Sequence, residues 1–143
     1  MKSDFRSPCP IASALDLIGD KWSLVLVRDM LTIQKKTFKE FSESTEGIAP
    51  GILSARLKWL EGNGLLTKRK LADNQKENIY LLTEQGIELA PVLLELIWWS
   101  HRNLKSQNPA MPTFEEIGLD PDNPQLANML QDRYRDFVAA LLG

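Results

Sequence analysis

Apolar residues recur at helical spacing in separate stretches, each bounded by residues that start or stop a helix. Pro10 stands where a first helical residue belongs, and Ile11, Ala14, Leu15 and Ile18 follow at that spacing. Gly19 ends this helix, and Asp20 is suited to cap a second over residues 21–31. Trp22, Leu24, Val25, Leu26, Val27, Met30 and Leu31 make that second helix apolar on more than one side, which predicts a central, buried position. The stretch 25–27 taken alone also reads as strand. Thr37-Phe38-Lys39-Glu40 has the form of a capping box and predicts a short helix that buries Phe38 and Phe41. After a loop through Gly47 and Ile48, Pro50 opens a further helix with Leu53, Leu57 and Leu60 along one face. Gly62-Asn63-Gly64 stops it.

The period then changes. Residues 65–71 and 78–82 read as two strands joined by a six-residue polar tip, 72–77. Thr83 is placed to cap a long helix through Leu89, Val92, Leu93, Leu96 and Trp99, which Pro91 should kink. Two prolines mark 106–113 as a linker. A short helix over 114–119, a turn at 120–123 and a last helix from Pro124 follow. Leu126, Leu130, Phe137 and Leu141 line one face of that last helix. The predicted fold is mainly α with a small β-hairpin (α+β), in the order of a winged helix-turn-helix with flanking helices.

Charge changes the picture only locally. The net charge is −2, yet residues 35–80 hold nine Lys/Arg against six Asp/Glu, while 106–143 hold two against six. A basic middle and an acidic tail suit a polyanion-binding segment in an otherwise acidic protein. One cysteine excludes an internal disulfide framework and any cysteine-cluster metal site. No apolar run reaches the ~18 residues of a membrane span. The polar opening stretch, residues 1–6, lacks the apolar run of a secretory signal, so cytoplasmic localisation without membrane association is expected.

A helix enters the major groove when one face packs on its domain and the other carries short or polar groups. Stepping about 100° per residue from the leucine face puts Gly51, Ser54, Ala55 and Lys58 on the far side of the helix over 50–61. Gly51 and Ala55 permit close approach, and Ser54 and Lys58 are candidates to read bases. Arg56 falls on the flank, where a phosphate contact and a salt bridge to the domain are both open. Lys68, Arg69 and Lys70 on the first strand, with Gln75 and Lys76 at the tip, suit phosphate contacts that carry no sequence information.

Several blocks resemble the HxlR-type transcription regulators, winged-helix proteins related to the MarR group. These are Cys9-Pro10-Ile11-Ala12 with Ala14-Leu15-Asp16-Leu17-Ile18-Gly19-Asp20-Lys21-Trp22, then Leu26-x-Arg28-Asp29-x-Leu31 and Phe38-x-x-Phe41. Leu53-Ser54-x-Arg56-Leu57-x-x-Leu60-Glu61-x-x-Gly64-Leu65 and Tyr80-x-Leu82-Thr83-x-x-Gly86 complete the set. The resemblance covers about 8–105. It implies a homodimer, built on the first and last helices, that places paired recognition helices and wings on operator DNA. Four departures stand out. Ala49 replaces a frequent Ser cap, Trp59 replaces a polar residue, the wing tip lacks a proline pair, and 106–143 extends past the usual end. The expected organisation is a winged-helix DNA-binding domain with dimerisation helices over 8–105, then a linker and helical extension over 106–143.

Cys9 precedes Pro10 at a helix N-terminus, a place that favours the reactive thiolate. Some relatives use a cysteine there as a redox or electrophile sensor, and a half-buried thiol without that role is the plainer reading. Trp22, Trp59, Trp98 and Trp99 are candidates for an effector pocket, though aromatics at helical spacing more often build core or interface. The last helix is expected to dock on its own subunit or a neighbour. His101 near the end of the long helix suits its dipole better than base catalysis. Asp16, Asp20 and Asp29 form no paired-carboxylate site, and no phosphate-binding glycine loop is present. The expectation is a non-enzymatic regulator without a cofactor. Its partners would be double-stranded DNA, a second copy of itself and a small-molecule or oxidant effector. The alternative is a dimeric interaction module that kept the scaffold without specific DNA binding.

Overall fold

The computed structural model describes residues 4–143, so the first three residues of the polar opening stretch lie outside the described residues. Seven helices and one antiparallel hairpin follow in order: α1 Pro10–Ile18, α2 Ser23–Ile33, α3 Phe38–Ser42, α4 Pro50–Gly62, β1 Leu66–Leu71, β2 Asn74–Leu82, α5 Glu84–Ile87, α6 Ala90–Asn103 and α7 Leu126–Leu142. None of these helices is long and apolar enough to cross a membrane.

The apolar pattern of α2 puts it at the centre. Leu26, Val27, Met30 and Leu31 are buried, meeting Phe41 of α3 and Leu53, Leu57 and Leu60 of α4. Asp20 is not the N-cap of α2, which is Trp22, but its carboxylate accepts from the N–H groups of Trp22 (3.0 Å) and Ser23 (2.9 Å) and so still satisfies donors at that end. Burial pushes that carboxyl up, but hydrogen bonds from Ser23 and Trp22, with the Arg56 charge, hold it below the usual range. The helix itself begins at Ser23, two residues later than the pattern suggested, because residues 21 and 22 form a turn.

The capping box on α3 is complete. The Glu40 N–H donates to Thr37 Oγ1 (3.1 Å), and the Thr37 N–H donates to Glu40 Oε1 (3.0 Å). Phe41 is fully buried, but Phe38 is exposed, contrary to expectation. A five-residue helix turns only one such position into the core.

Three further expectations are corrected. The predicted six-residue tip of the hairpin is mostly strand. β2 begins at Asn74, and the turn is Ala72-Asp73. Lys70 pairs with Asn78 and Leu71 with Asn74, so Gln75, Lys76 and Glu77 are accommodated as a bulge. The long helix after Thr83 is two helices. Pro91, lacking an N–H, sits in the first turn of α6, where none is needed, so the chain breaks before it instead of kinking. Residues 114–119 form a turn, closed by the Leu119 N–H on the Phe114 carbonyl (2.9 Å) and by Gly118 at φ +72°, a left-handed position that ends helical propagation.

The extension docks on its own chain. α7 lies against α2 and α6, and Tyr134 is completely buried. It was not among the residues expected on that face, although it lies four positions after Leu130.

Candidate nucleic-acid interface

α3, the loop with Gly47 at φ +71°, and α4 form the helix-turn-helix. Pro50 starts α4, while Ala49 at its N-cap supplies no side-chain hydrogen bond, leaving the first N–H groups open to another acceptor. Leu53, Leu57 and Leu60 anchor the helix in the core. Gly51, Ser54, Ala55 and Lys58 are exposed, the division predicted from the helical step. Ile52 is exposed as well, beside this face, and sequence reasoning passed over it. Its signal was available: a step of about 100° from both Gly51 and Leu53 puts it on the flank between the exposed face and the leucine stripe.

Arg56 turns to its own domain. Its Nη1 lies 3.4 Å from Asp20 Oδ1, and the guanidinium lies 5.5 Å from the centroid of the Trp59 ring. Trp59 in turn donates its indole N–H to the Leu17 carbonyl (2.9 Å), joining α4 to α1. The polar residue expected at that position could not supply the same packing area.

The hairpin starts at the foot of α4, where the Leu65 N–H donates to the Leu60 carbonyl (2.9 Å). Ile79, Leu81 and Leu82 bury its base, and the Tyr80 N–H donates to the Lys36 carbonyl (2.7 Å). Its far half is exposed: Lys68, Arg69, Lys70, Gln75 and Lys76 all face solvent. Gln75 donates to the Leu71 carbonyl (2.6 Å), which ties the bulge to the first strand. Among the described residues, Lys58, Lys68, Arg69, Lys70 and Lys76 take part in no ion pair, whereas Arg28, Lys35, Arg56 and Arg135 are each held by a carboxylate.

The other candidates are scattered. Cys9 is exposed at the N-cap of α1. Its N–H donates to Ser7 Oγ (3.2 Å) and its carbonyl accepts from Ser13 N (2.9 Å), while its side chain makes no cap bond. The four tryptophans do not converge. Trp22 and Trp59 pack against the core, Trp98 meets Phe114 edge to face, and Trp99 is exposed. His101, in the last turn of α6, lies 4.0 Å from the Phe114 ring centre. No group of metal-binding side chains occurs among the described residues.

Comparison with known proteins agrees with this layout. YybR, an HTH-type transcriptional regulator of Bacillus subtilis, is 33% identical over 98 residues, spanning 68% of this chain and 78% of YybR. The redox regulator HypR in its reduced form superposes with a TM-score of 0.61 at 30% identity, covering 71% of this chain and 99% of HypR. Reduced YodB of B. subtilis superposes with a TM-score of 0.58 at 29% identity, covering 70% and 98%, and YodB has also been solved in a quinone-bound form. Members of this group are transcription regulators and not enzymes. The HxlR-like helix-turn-helix profile matches residues 17–108, a stretch that contains α3, α4 and the hairpin, and the chain belongs to the HxlR-like family.

Proposed function

We propose that the protein is a cytoplasmic homodimer that binds a pseudo-palindromic operator in double-stranded DNA. Residues 8–105 form the DNA-binding and dimerising unit and 106–143 an appended segment. The reading rests on the set of basic side chains, Lys58 on α4 and Lys68, Arg69, Lys70 and Lys76 on the hairpin, exposed and without ion-pair partners among the described residues. Two α4 helices enter successive major grooves about one helical turn apart. Ser54 and Lys58 read base edges, and Gly51 and Ala55 let the backbone approach. Ile52 is placed for contact with a thymine methyl group. The wing residues, with Gln75, hold phosphates. Arg56 positions α4 through Asp20 rather than reaching the duplex.

Exposed apolar rows on α1 and on α6 support the dimer. Ile11 (72% exposed) and Leu15 (53%) lie one turn apart on α1, and Val92, Leu96 and Trp99 repeat along α6. Cys9 at the start of α1 is the site for an oxidant or electrophile. An oxidant that removes two thiol hydrogens would couple it to a second thiol, and a quinone would add to it. That HypR is a redox regulator and that YodB has been solved with quinone bound support this assignment.

The test is a binding titration across salt concentrations. Lys58→Ala weakens the operator selectively, whereas Lys68→Ala and Lys76→Ala weaken all sequences and each lower the log–log salt slope by about one. Unchanged binding by all three variants at low salt contradicts the assigned face and favours the interaction module.

A further inference from the structure

An open cleft of about 770 Å³ lies between α2 and α6, bordered also by the segment that follows α6 and by α7. Its volume falls within the range of small-molecule sites, about 300–1,000 Å³. Leu24 and Leu31 of α2, Leu93 and Ile97 of α6, Ile117 of the covering turn and Leu130 of α7 supply apolar walls. Ile117 and Leu130 lie beyond residue 108, where the family profile ends. The extension therefore adds walls to a cleft that the matched unit alone would leave shallower.

The charged side chains at this cleft, Arg28 and Arg133, have one sign. His101 borders it as well, and no aspartate or glutamate does so among the described residues, in a chain with 19 Asp/Glu against 17 Lys/Arg. Arg28 is already neutralised, bound through both Nη atoms to Glu46 (2.9 Å each) and through Nη2 to Asp29 (2.8 Å). Arg133 is not. Its Nη2 donates to the carbonyls of Leu31 (3.4 Å) and Thr32 (3.2 Å) at the C-terminal end of α2, and it takes part in no ion pair among the described residues. Those carbonyls hold the guanidinium at the cleft edge without cancelling its charge, leaving Nη1 and Nε as donors. Ser100 adds a hydroxyl on the α6 side.

We propose that this cleft binds a small apolar molecule bearing one anionic group, its body between α2 and α6 and its anion on Arg133. The site is separate from Cys9 and from the α4 and hairpin surface, although Leu96 at its rim also belongs to the exposed α6 row assigned to the dimer.

Two fluorescent probes test it on the full chain. Anilinonaphthalene sulfonate carries an aromatic body and one negative charge, and phenylnaphthylamine is the same skeleton without the charge. The expected result is saturable binding of one sulfonate probe per chain. Arg133→Gln keeps an N–H donor for the α2 carbonyls and removes the charge, so it weakens the sulfonate probe about tenfold and leaves the neutral probe unchanged. Ile97→Trp fills the cleft and abolishes binding of both, with thermal melting confirming that each variant is folded. The proposal is overturned if Arg133→Gln leaves the sulfonate probe unaffected or weakens both probes equally. Absence of saturable binding to the folded protein also overturns it, as a cleft covered by a second copy would require.

Discussion

The Leu82 N–H at the end of β2 donates to the Tyr134 hydroxyl oxygen at 2.9 Å, across 52 residues of chain and inside the core. This bond fastens the C-terminal helix to the base of the hairpin. Around it, Arg135 makes an ion pair with Glu84 of α5, and Gln131 donates to the Ile87 carbonyl (3.2 Å). The extension is therefore continuous with the element proposed to lie on DNA.

Tyr134→Phe leaves the Leu82 N–H buried without its partner, which costs about 1–3 kcal/mol in chemical denaturation. Burial pushes the Tyr134 phenol up to about 12, against a smaller lowering effect of the Leu82 bond. A raised acid keeps its proton in the folded state. Stability is thus fully present below about pH 10 and falls as pH climbs towards 12, and the phenylalanine variant lacks this part of the loss.

The Arg28 fork on Glu46 ties α2 to the loop that precedes α4. Arg28 lowers the Glu46 carboxyl from 4.5 to about 2. A lowered acid stabilises the fold above its unfolded value, and that contribution disappears as pH falls from about 4.5 towards 2. Both side chains are 38% exposed, so solvent screening limits the pair to under about 1 kcal/mol. Urea denaturation at about pH 6 and about pH 3 should show Glu46→Gln closer to the parent at the lower pH.

Gly86 lies against the Leu65 carbonyl so closely that a Cβ there meets backbone. Gly86→Ala must move the junction of β1 and α5, at a cost of about 1–3 kcal/mol. Thermal melting should show a clear loss for this variant, while Gly62→Ala, where a Cβ meets nothing within 4 Å, should not.

Diamide or a quinone should abolish DNA binding by the parent in gel-shift assays, and Cys9→Ser should bind equally with and without the oxidant. An identical oxidant response in the serine variant removes Cys9 from the mechanism.

The parts of the fold legible in the sequence are those where side-chain burial follows a fixed period. The leucine stripe of α4 and the Thr37/Glu40 box of α3 are of this kind, and both stand where expected. Helical spacing runs unbroken through Leu89 and Val92, so it concealed the break between α5 and α6, which depends on the missing N–H of Pro91. In the strand at Asn74–Glu77 only Asn74 stands in register with the first strand and every side chain is exposed, which leaves no alternation to read. Arg56 was placed on the right flank, but its partner Asp20 is remote in sequence and visible only in the fold. The cleft beside Arg133 escaped for the same reason, since its walls come from four separate stretches.

Selection of bound duplexes from a random DNA pool, with reduced protein at moderate salt, decides whether a dimer reads a specific operator. The expected result is enrichment of an inverted repeat whose half-sites are centred about 10–10.5 base pairs apart. A folded protein that enriches no sequence would contradict it.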